Sequence, residues 1–326
     1  MRELILTEEN YRESMTQSVL PYLAARETQL WLEREAGKRI FCMRYLADSP
    51  VGVVLISHGF TESAEKYQES ICYFLQKGYH VYCMEHCGHG HSYRLTQDLS
   101  LVHVDTYKRY TADLLFIAET AKRENKALPL FLYAHSMGGG IGLAAAAEAP
   151  ERFERLVLSA PMLRPLTNPA PWPVAKLIAG VSCALGKGTS YVMGQKPYGG
   201  MERYEDSAST SCARFTLYQE RRAAEPLYQT SAASYGWLRS AGALNRYLRT
   251  EGWKRISSPV LLFQAESDSF VCKPEQDWFI QKLCDRGVAA RIVRPAGTKH
   301  EVCNCADGRV VTDYWEAVFV FLESGI

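Results

Sequence analysis

Residues 130–140 read LFLYAHSMGGG, an apolar run that stops at Ala134-His135-Ser136-Met137-Gly138 and passes at once into a stretch of small residues. Strand composition running straight into helix composition demands a sharp turn, and small residues on both sides keep the two elements from colliding. Such a turn projects the Ser136 hydroxyl above the end of the strand. A serine hydroxyl is a poor nucleophile until a base can reach it, and exposure on a tight turn supplies that access. The helix that starts here leaves the Met137 N–H without an intrahelical partner, aimed at developing negative charge. The pattern is a nucleophile elbow with Ala134 in place of the first glycine.

Outward from this turn the chain alternates. Short β-branched or aliphatic runs at 51–57, 79–85, 128–134, 155–160, 259–265 and 289–295 are separated by helical patterns at about 64–77, 106–125, 137–149, 273–286 and 312–323. This alternation predicts an α/β fold with a mostly parallel central sheet flanked by helices. Before it, TQLWLERE and KRIFCMRYL meet at Ala36-Gly37, which predicts an antiparallel hairpin at one sheet edge. The alternation breaks after Pro161, where Pro165, Pro169, Pro171 and Pro173 precede a stretch rich in Gly, Ala, Ser and Tyr. A structureless loop of that length is improbable, so residues 161–236 are expected to form a helical cap (lid) inserted between a first core part, 1–160, and a second, 237–326. Within it, Trp172, Leu177, Ile178, Val181 and Leu185 are expected to turn an apolar helix face toward the sheet's carboxyl edge.

A serine on this kind of turn needs partners that follow it in the order acid, then histidine. Seven of the eight histidines lie at or before position 135, which leaves His300, in a loop directly after the last strand. The loop after the preceding strand offers Glu266 and Asp268; Asp268 is preferred, and Glu266, at the strand end, is the alternative. A carboxylate there would fix the imidazole tautomer and stabilise the imidazolium. A second oxyanion donor is expected from the loop after an early strand, where His58-Gly59 turns the chain and the N–H of Phe60 is the candidate.

With these segments in hand, the sequence resembles α/β-hydrolases of the monoacylglycerol lipase and bacterial lysophospholipase branch over nearly its whole length. SHGFTESAEKY (57–67) resembles that branch's oxyanion loop, MEHCGHGHS (84–92) its Asp-x-Arg-Gly-His-Gly-x-Ser loop, and AHSMGG and PVLLFQAESDSFV its nucleophile and acid segments. From ASTSCARF to SYGWLRSA the chain is more similar to the bacterial lysophospholipases than to the animal lipases. Carried over, the resemblance implies Ser136, Asp268 and His300 as catalytic residues and Phe60 and Met137 as oxyanion donors. Cys87 stands where that loop has Arg, and CNCAD follows His300 where a more hydrophobic and acidic segment is usual.

Thirty-seven basic against thirty-six acidic residues give no global field for a nucleic acid or an anionic membrane. Ten cysteines at irregular spacing suit reduced, packed thiols in a cytoplasmic setting, the N-terminus does not read as a secretory signal, and 174–185 is too short to span a bilayer. Transient contact with a membrane surface is the most that is expected. Cys83, Glu85, His86, Cys87, His89 and His91 are metal-ligand types, but the second ligand pair of a zinc site is missing, so a structural loop is expected and no metal or cofactor. Cys303 and Cys305 sit close enough to His300 for oxidation to displace it, though two ordinary loop thiols are the plainer reading. Gly186-Lys187 lacks the spacing of a phosphate loop. Arg221-Arg222 could meet a lipid phosphate, although exposed helix charges are the plainer reading. The expected activity is hydrolysis of a single-chain lipid ester, a lysophospholipid before a monoacylglycerol, through an acyl-enzyme. The alternatives are a peptidase of the same fold, holding an α-amino group on Glu202, Glu205 or Asp206, and a non-catalytic lipid-binding protein. The oligomeric state is left open.

Overall fold

The computed structural model describes residues 5–324. Eight strands form one sheet: β1 (Glu27–Glu35), β2 (Lys38–Tyr45), β3 (Gly52–Ser57), β4 (Tyr79–Met84), β5 (Leu130–His135), β6 (Leu156–Ser159), β7 (Val260–Phe263) and β8 (Ala290–Val293). Their spatial order is β1-β2-β4-β3-β5-β6-β7-β8, with β1 and β2 joined as an antiparallel hairpin at one edge and everything from β4 to β8 parallel. Parallel neighbours need crossovers, and the helical patterns between the strands provide them. These are α1 (Gln68–Gln76), entered through a 3₁₀ turn at Ala64–Tyr67, α2 (Tyr107–Glu124) and α3 (Met137–Glu148). After the segment discussed below come α6 (Tyr235–Tyr247), α7 (Lys273–Asp285) and α8 (Gly308–Ser324).

The central strands β3, β4 and β5 are buried along their whole length, which is why they read as continuous apolar runs rather than alternating ones. One core layer, with Leu114, Ile117, Ile141 and Phe279, packs α2, α3 and α7 on one face. The other, with Phe74, Trp315, Phe319 and the N-terminal Tyr11 and Met15, packs α1 and α8 on the opposite face. Aromatic contacts tie the second layer together, with Phe74 edge-on to Tyr133 and Trp315 at 5.5 and 5.3 Å between centroids.

Between β6 and α6 the chain forms two further helices, α4 (Trp172–Ala184) and α5 (Cys212–Ala224), separated by a long irregular stretch. Ala232–Ala233 pairs in parallel with Leu101–Val102, tying this region to the loop after β4. The expected orientation of α4 is overturned. Trp172, Ala175 and Ala179 face inward, while Leu177, Ile178, Val181 and Leu185 point to solvent. The small Ala175 and Ala179, with Gly242 on the facing helix, let α4 pack closely on α6, so the larger side chains are left outside. Among the described residues no helix is long and apolar enough to cross a membrane.

Candidate active site

Four strands deliver the site at their carboxyl ends, where an open α/β sheet places its ligands. β5 ends in the elbow. Ser136 has φ 51° and ψ −120°, a left-handed region that a residue with a Cβ rarely adopts. The strain is held on both sides: the Ser136 N–H donates to Ser159 O at 3.0 Å, and its carbonyl accepts from Met162 N at 2.7 Å. Gly138 is required by close approach, since a Cβ there would lie 2.2 Å from Ser57 O on the neighbouring strand.

From the loop after β8, His300 reaches the elbow, and its Nε2 lies 2.8 Å from Ser136 Oγ. Its Nδ1 lies 2.8 Å from Asp268 Oδ2, on the loop after β7. A carboxylate only accepts, so Nδ1 carries the hydrogen and Nε2 accepts from the serine hydroxyl. Asp268 Oδ1 also accepts from the N–H groups of Phe270 and Val271, at 2.8 and 3.0 Å. Burial alone would raise its pKa; the bond to His300, that residue's charge and the two backbone bonds outweigh burial and hold it below the usual aspartate value. Glu266 is exposed, and its carboxylate accepts from Gly297 N at 2.6 Å instead.

Phe60 and Met137 flank the same point. Among the described residues neither backbone N–H donates to a protein acceptor, which leaves both free for an oxyanion. Phe60 packs its ring on Trp237 at 4.5 Å, and Trp237 Nε1–H points at Met137 Sδ at 3.4 Å, so both residues are held by one apolar contact set. A hydroxyl bonded to an imidazole, itself bonded to a carboxylate, can surrender its proton as it attacks a carbonyl.

The loop carrying Phe60 rests on the histidine cluster. His58 Nδ1–H donates to Gly59 O at 2.7 Å and its Nε2 accepts from His86 N at 2.9 Å. His89 Nδ1–H donates to Cys87 O at 3.2 Å and its Nε2 accepts from Thr61 N at 3.3 Å. Burial pushes both imidazoles below their usual pKa, so they stay neutral. Their nitrogens serve the backbone, which is the physical content of this Cys- and His-rich loop.

Beside the elbow lies a group that the sequence reading did not single out. Lys66 Nζ bridges Glu62 Oε1 at 2.7 Å and Glu301 Oε1 at 2.5 Å. Glu62 Oε2 accepts from Gly59 N and from Tyr67 Oη, both at 2.6 Å, so this ion chain links the Phe60 loop to the residue after His300. His135 completes it: Nδ1–H donates to Ser159 O at 3.0 Å, the ring lies 4.9 Å from that of His300, and Nε2 sits 3.6 Å from Glu62 Oε1. Burial outweighs the pull of Glu62 and pushes His135 down to about 4, so it is neutral near pH 7. The spacing of Glu62 and Lys66, one helical turn apart, was the available signal.

These residues open onto a cavity of about 390 Å³ that Ser136 and His300 line. Phe60, Met162, Leu166, Trp237 and Phe270 make its apolar side, and α5 contributes Arg214, Tyr218, Arg221 and Arg222. Each of these arginines is already matched. Arg214 meets Glu69 at 2.7 Å, Arg221 meets Glu65 at 3.3 Å and Arg222 meets Glu202 at 2.5 Å. Arg222 is buried rather than exposed. Of the three carboxylates considered for an α-amino group, Glu202 is engaged as above and Glu205 pairs with Arg203 at 3.3 Å, while Asp206 lines the cavity and takes part in no ion pair among the described residues.

The family model described as serine aminopeptidase, S33, matches residues 48–304, well over half of the chain. The chain is an α/β-hydrolase of this family. Among the relatives it resembles is the monoacylglycerol lipase of Mycolicibacterium smegmatis, 24% identical over 81% of this chain and 86% of that one. Lysophospholipase L2 of Escherichia coli is 23% identical over 84% of each chain. The rat monoglyceride lipase is 32% identical, but the match spans 44% of this chain and 45% of the rat protein, under half of each. Among solved structures, a monoglyceride lipase from Saccharomyces cerevisiae superposes with a TM-score of 0.73 at 17% identity, covering 92% of this chain and 96% of that one. A Bacillus coagulans carboxyl esterase gives 0.75 at 17% identity, over 91% and 98%. At such identities the structural likeness speaks for the fold alone.

Proposed function

We propose that this protein hydrolyses the carboxylic ester of a single-chain lipid through an acyl-enzyme. The observation that carries the reading is the hydrogen-bonded series Ser136–His300–Asp268, opening into a covered cavity with one apolar side. Ser136 Oγ attacks the ester carbonyl while His300 Nε2 takes its proton, and the Phe60 and Met137 amides hold the oxyanion. The imidazolium, steadied by Asp268, then protonates the departing alcohol and leaves Ser136 acylated. Water attacks the acyl-enzyme with His300 again as base, which releases the fatty acid and restores the hydroxyl. Residues 161–236 act as the cap over this cavity, and the protein works in the cytoplasm, meeting its substrate at a membrane surface.

Support comes from relatives that are named monoacylglycerol lipase and lysophospholipase. The pairing of Arg221 and Arg222 with carboxylates removes one of the reasons for ranking a phosphate headgroup first. The pairing of Glu202 and Glu205 leaves only Asp206 of those three carboxylates for the α-amino group of an aminopeptidase substrate, and free oxyanion donors are superfluous in a purely lipid-binding protein. The test is kcat/KM over an acyl-length series of lysophospholipids and monoacylglycerols, with aminoacyl arylamides as control. Each methylene buried in the cavity contributes up to about 0.8 kcal/mol, so the rate should rise steeply with chain length. A flat series, or faster cleavage of the arylamides, would defeat the reading.

A further inference from the structure

Residues 5–24 precede the stretch matched by the family model, 48–304, and still reach the cavity. Tyr11 and Met15, only 7% and 2% exposed, line the same space as Ser136 and His300, together with Leu217 of α5. The backbone from 11 to 24 is helical, with a π turn at Met15–Val19, a rare form that recurs at functional sites. Buried Arg214 fastens this segment to the site. Its Nη2 donates to Leu6 O at 2.9 Å and to Glu69 Oε1 at 2.7 Å, and its Nη1 donates to Cys305 O at 3.4 Å, in the loop that carries His300. From the segment itself, Glu8 accepts from the Ala213 N–H at 2.8 Å and Arg12 meets Glu220 at 2.6 Å, both on α5.

The cavity has two kinds of wall. An acyl chain belongs on the apolar side that Phe60 and Trp237 help to make, since burial of its methylenes there is favourable and it has no hydrogen bonds to satisfy. The other wall is built from Glu65, Lys66, Gln68, Glu69, Arg214 and Arg221, and Tyr11 adjoins it, with the Arg214 guanidinium 4.7 Å above its ring. This wall starts beside His300, because Lys66 Nζ holds Glu301, and His300 is the group that protonates the departing alcohol in the proposed reaction. A buried hydroxyl costs free energy unless it finds a partner, and Tyr218 Oη on this wall is buried with no partner among the described residues. Lys66, Arg214 and Arg221 each hold a carboxylate already, so a phosphate placed here would have to compete for them.

We infer that residues 5–24 close the leaving-group end of the cavity, with Tyr11 and Met15 as specificity-determining residues that admit a small uncharged alcohol of glycerol size and shut out a larger, phosphorylated headgroup. This rests on the lipid-ester reading and names the alcohol part of its substrate. The acyl chain then lies against the apolar side, and the alcohol lies between His300 and Met15.

The experiment measures kcat/KM for three esters of one dodecanoyl chain, the methyl ester, the 1-glycerol ester and lysophosphatidylcholine, with the full-length parent, Met15→Ala and Met15→Phe. Ratios taken within one variant cancel any loss of folded protein. The parent should prefer the glycerol ester to lysophosphatidylcholine. At about ten-fold or more for a change of one or a few methylenes in a pocket, Met15→Ala should narrow that preference about ten-fold, and Met15→Phe should lower the ratio of glycerol ester to methyl ester by as much. The acyl length that gives the fastest glycerol ester should stay the same in all three proteins. Ratios that move in neither variant, or a parent that cleaves lysophosphatidylcholine as fast as the glycerol ester, would overturn the inference. So would a shift in the preferred acyl length at unchanged headgroup ratios, since the segment would then bound the acyl end. Turnover with fixed ratios sinks this inference alone, whereas a parent that cleaves none of the three esters sinks the lipid-ester reading and the inference with it.

Discussion

Asp268 loses three hydrogen bonds if its carboxylate is removed, one from His300 and two from the amides of Phe270 and Val271. An amide in its place can present N–H to the imidazole and stabilise the wrong tautomer, with Nε2 rather than Nδ1 carrying the hydrogen. Asp268→Asn should therefore lower kcat by about three to four orders of magnitude with little change in the folded structure. Glu266→Gln should be mild, because Glu266 serves Gly297 and not His300. Steady-state kinetics on the two variants decides, and the opposite ranking would transfer the role to Glu266. Ser136, Asp268 and His300 could be picked from sequence because each sits just beyond a strand that the apolar pattern marks. Glu69 and Arg214 could not, and for Lys66 the spacing to Glu62 hints at only one of its two partners. Lys66 finds Glu301 across 235 positions and Arg214 finds Glu69 across 145, pairings that only the packed fold creates.

At the scale of elements, the strand-to-helix junction depends on a backbone approach that no side chain can share. Gly138→Ala would drive its Cβ to 2.2 Å from Ser57 O, a backbone atom that cannot swing aside. The junction must then move, shifting Ser136 and the Met137 amide together. The expected outcome is activity reduced by about a hundred-fold or more, as for a misplacement near 1 Å, together with a lowered denaturation midpoint. Activity near that of the parent protein would mean that the elbow tolerates far more movement than this contact allows. Helix α4 teaches the complementary lesson. Its composition announces an apolar helix, but it has apolar residues on every side, and pattern alone does not choose which side goes in. Ala175 and Ala179 settle the matter because small side chains let two helices approach, leaving the Leu and Val side chains outside.

For the molecule as a whole, the neutral imidazoles and buried carboxylates set the response to acid. His135 is held down to about 4 from an ordinary value of 6.5. Between those pH values the unfolded chain binds a proton there and the folded chain does not, so stability falls as pH drops through that window, by up to about 3 kcal/mol for this residue. Glu62 acts with the same sign but later: its folded pKa is depressed, chiefly by Lys66 against the cost of burial, so its contribution is present above the usual carboxylate range and lost in stronger acid. Urea denaturation from pH 7 to pH 4 should show this decline, and His135→Gln should flatten it above pH 4. An equal slope in the variant would place the acid sensitivity elsewhere.

Ser136 is the group that becomes acylated in the proposed reaction. Its most direct test is intact-mass and peptide mass spectrometry after treatment with a fluorophosphonate. The expected result is a single adduct on the Ser136 peptide, formed in step with loss of lipid-ester hydrolysis. The Ser136→Ala protein should be unlabelled and slower by roughly a thousand-fold or more. Labelling that persists in Ser136→Ala, or near-normal turnover by that variant, would contradict it.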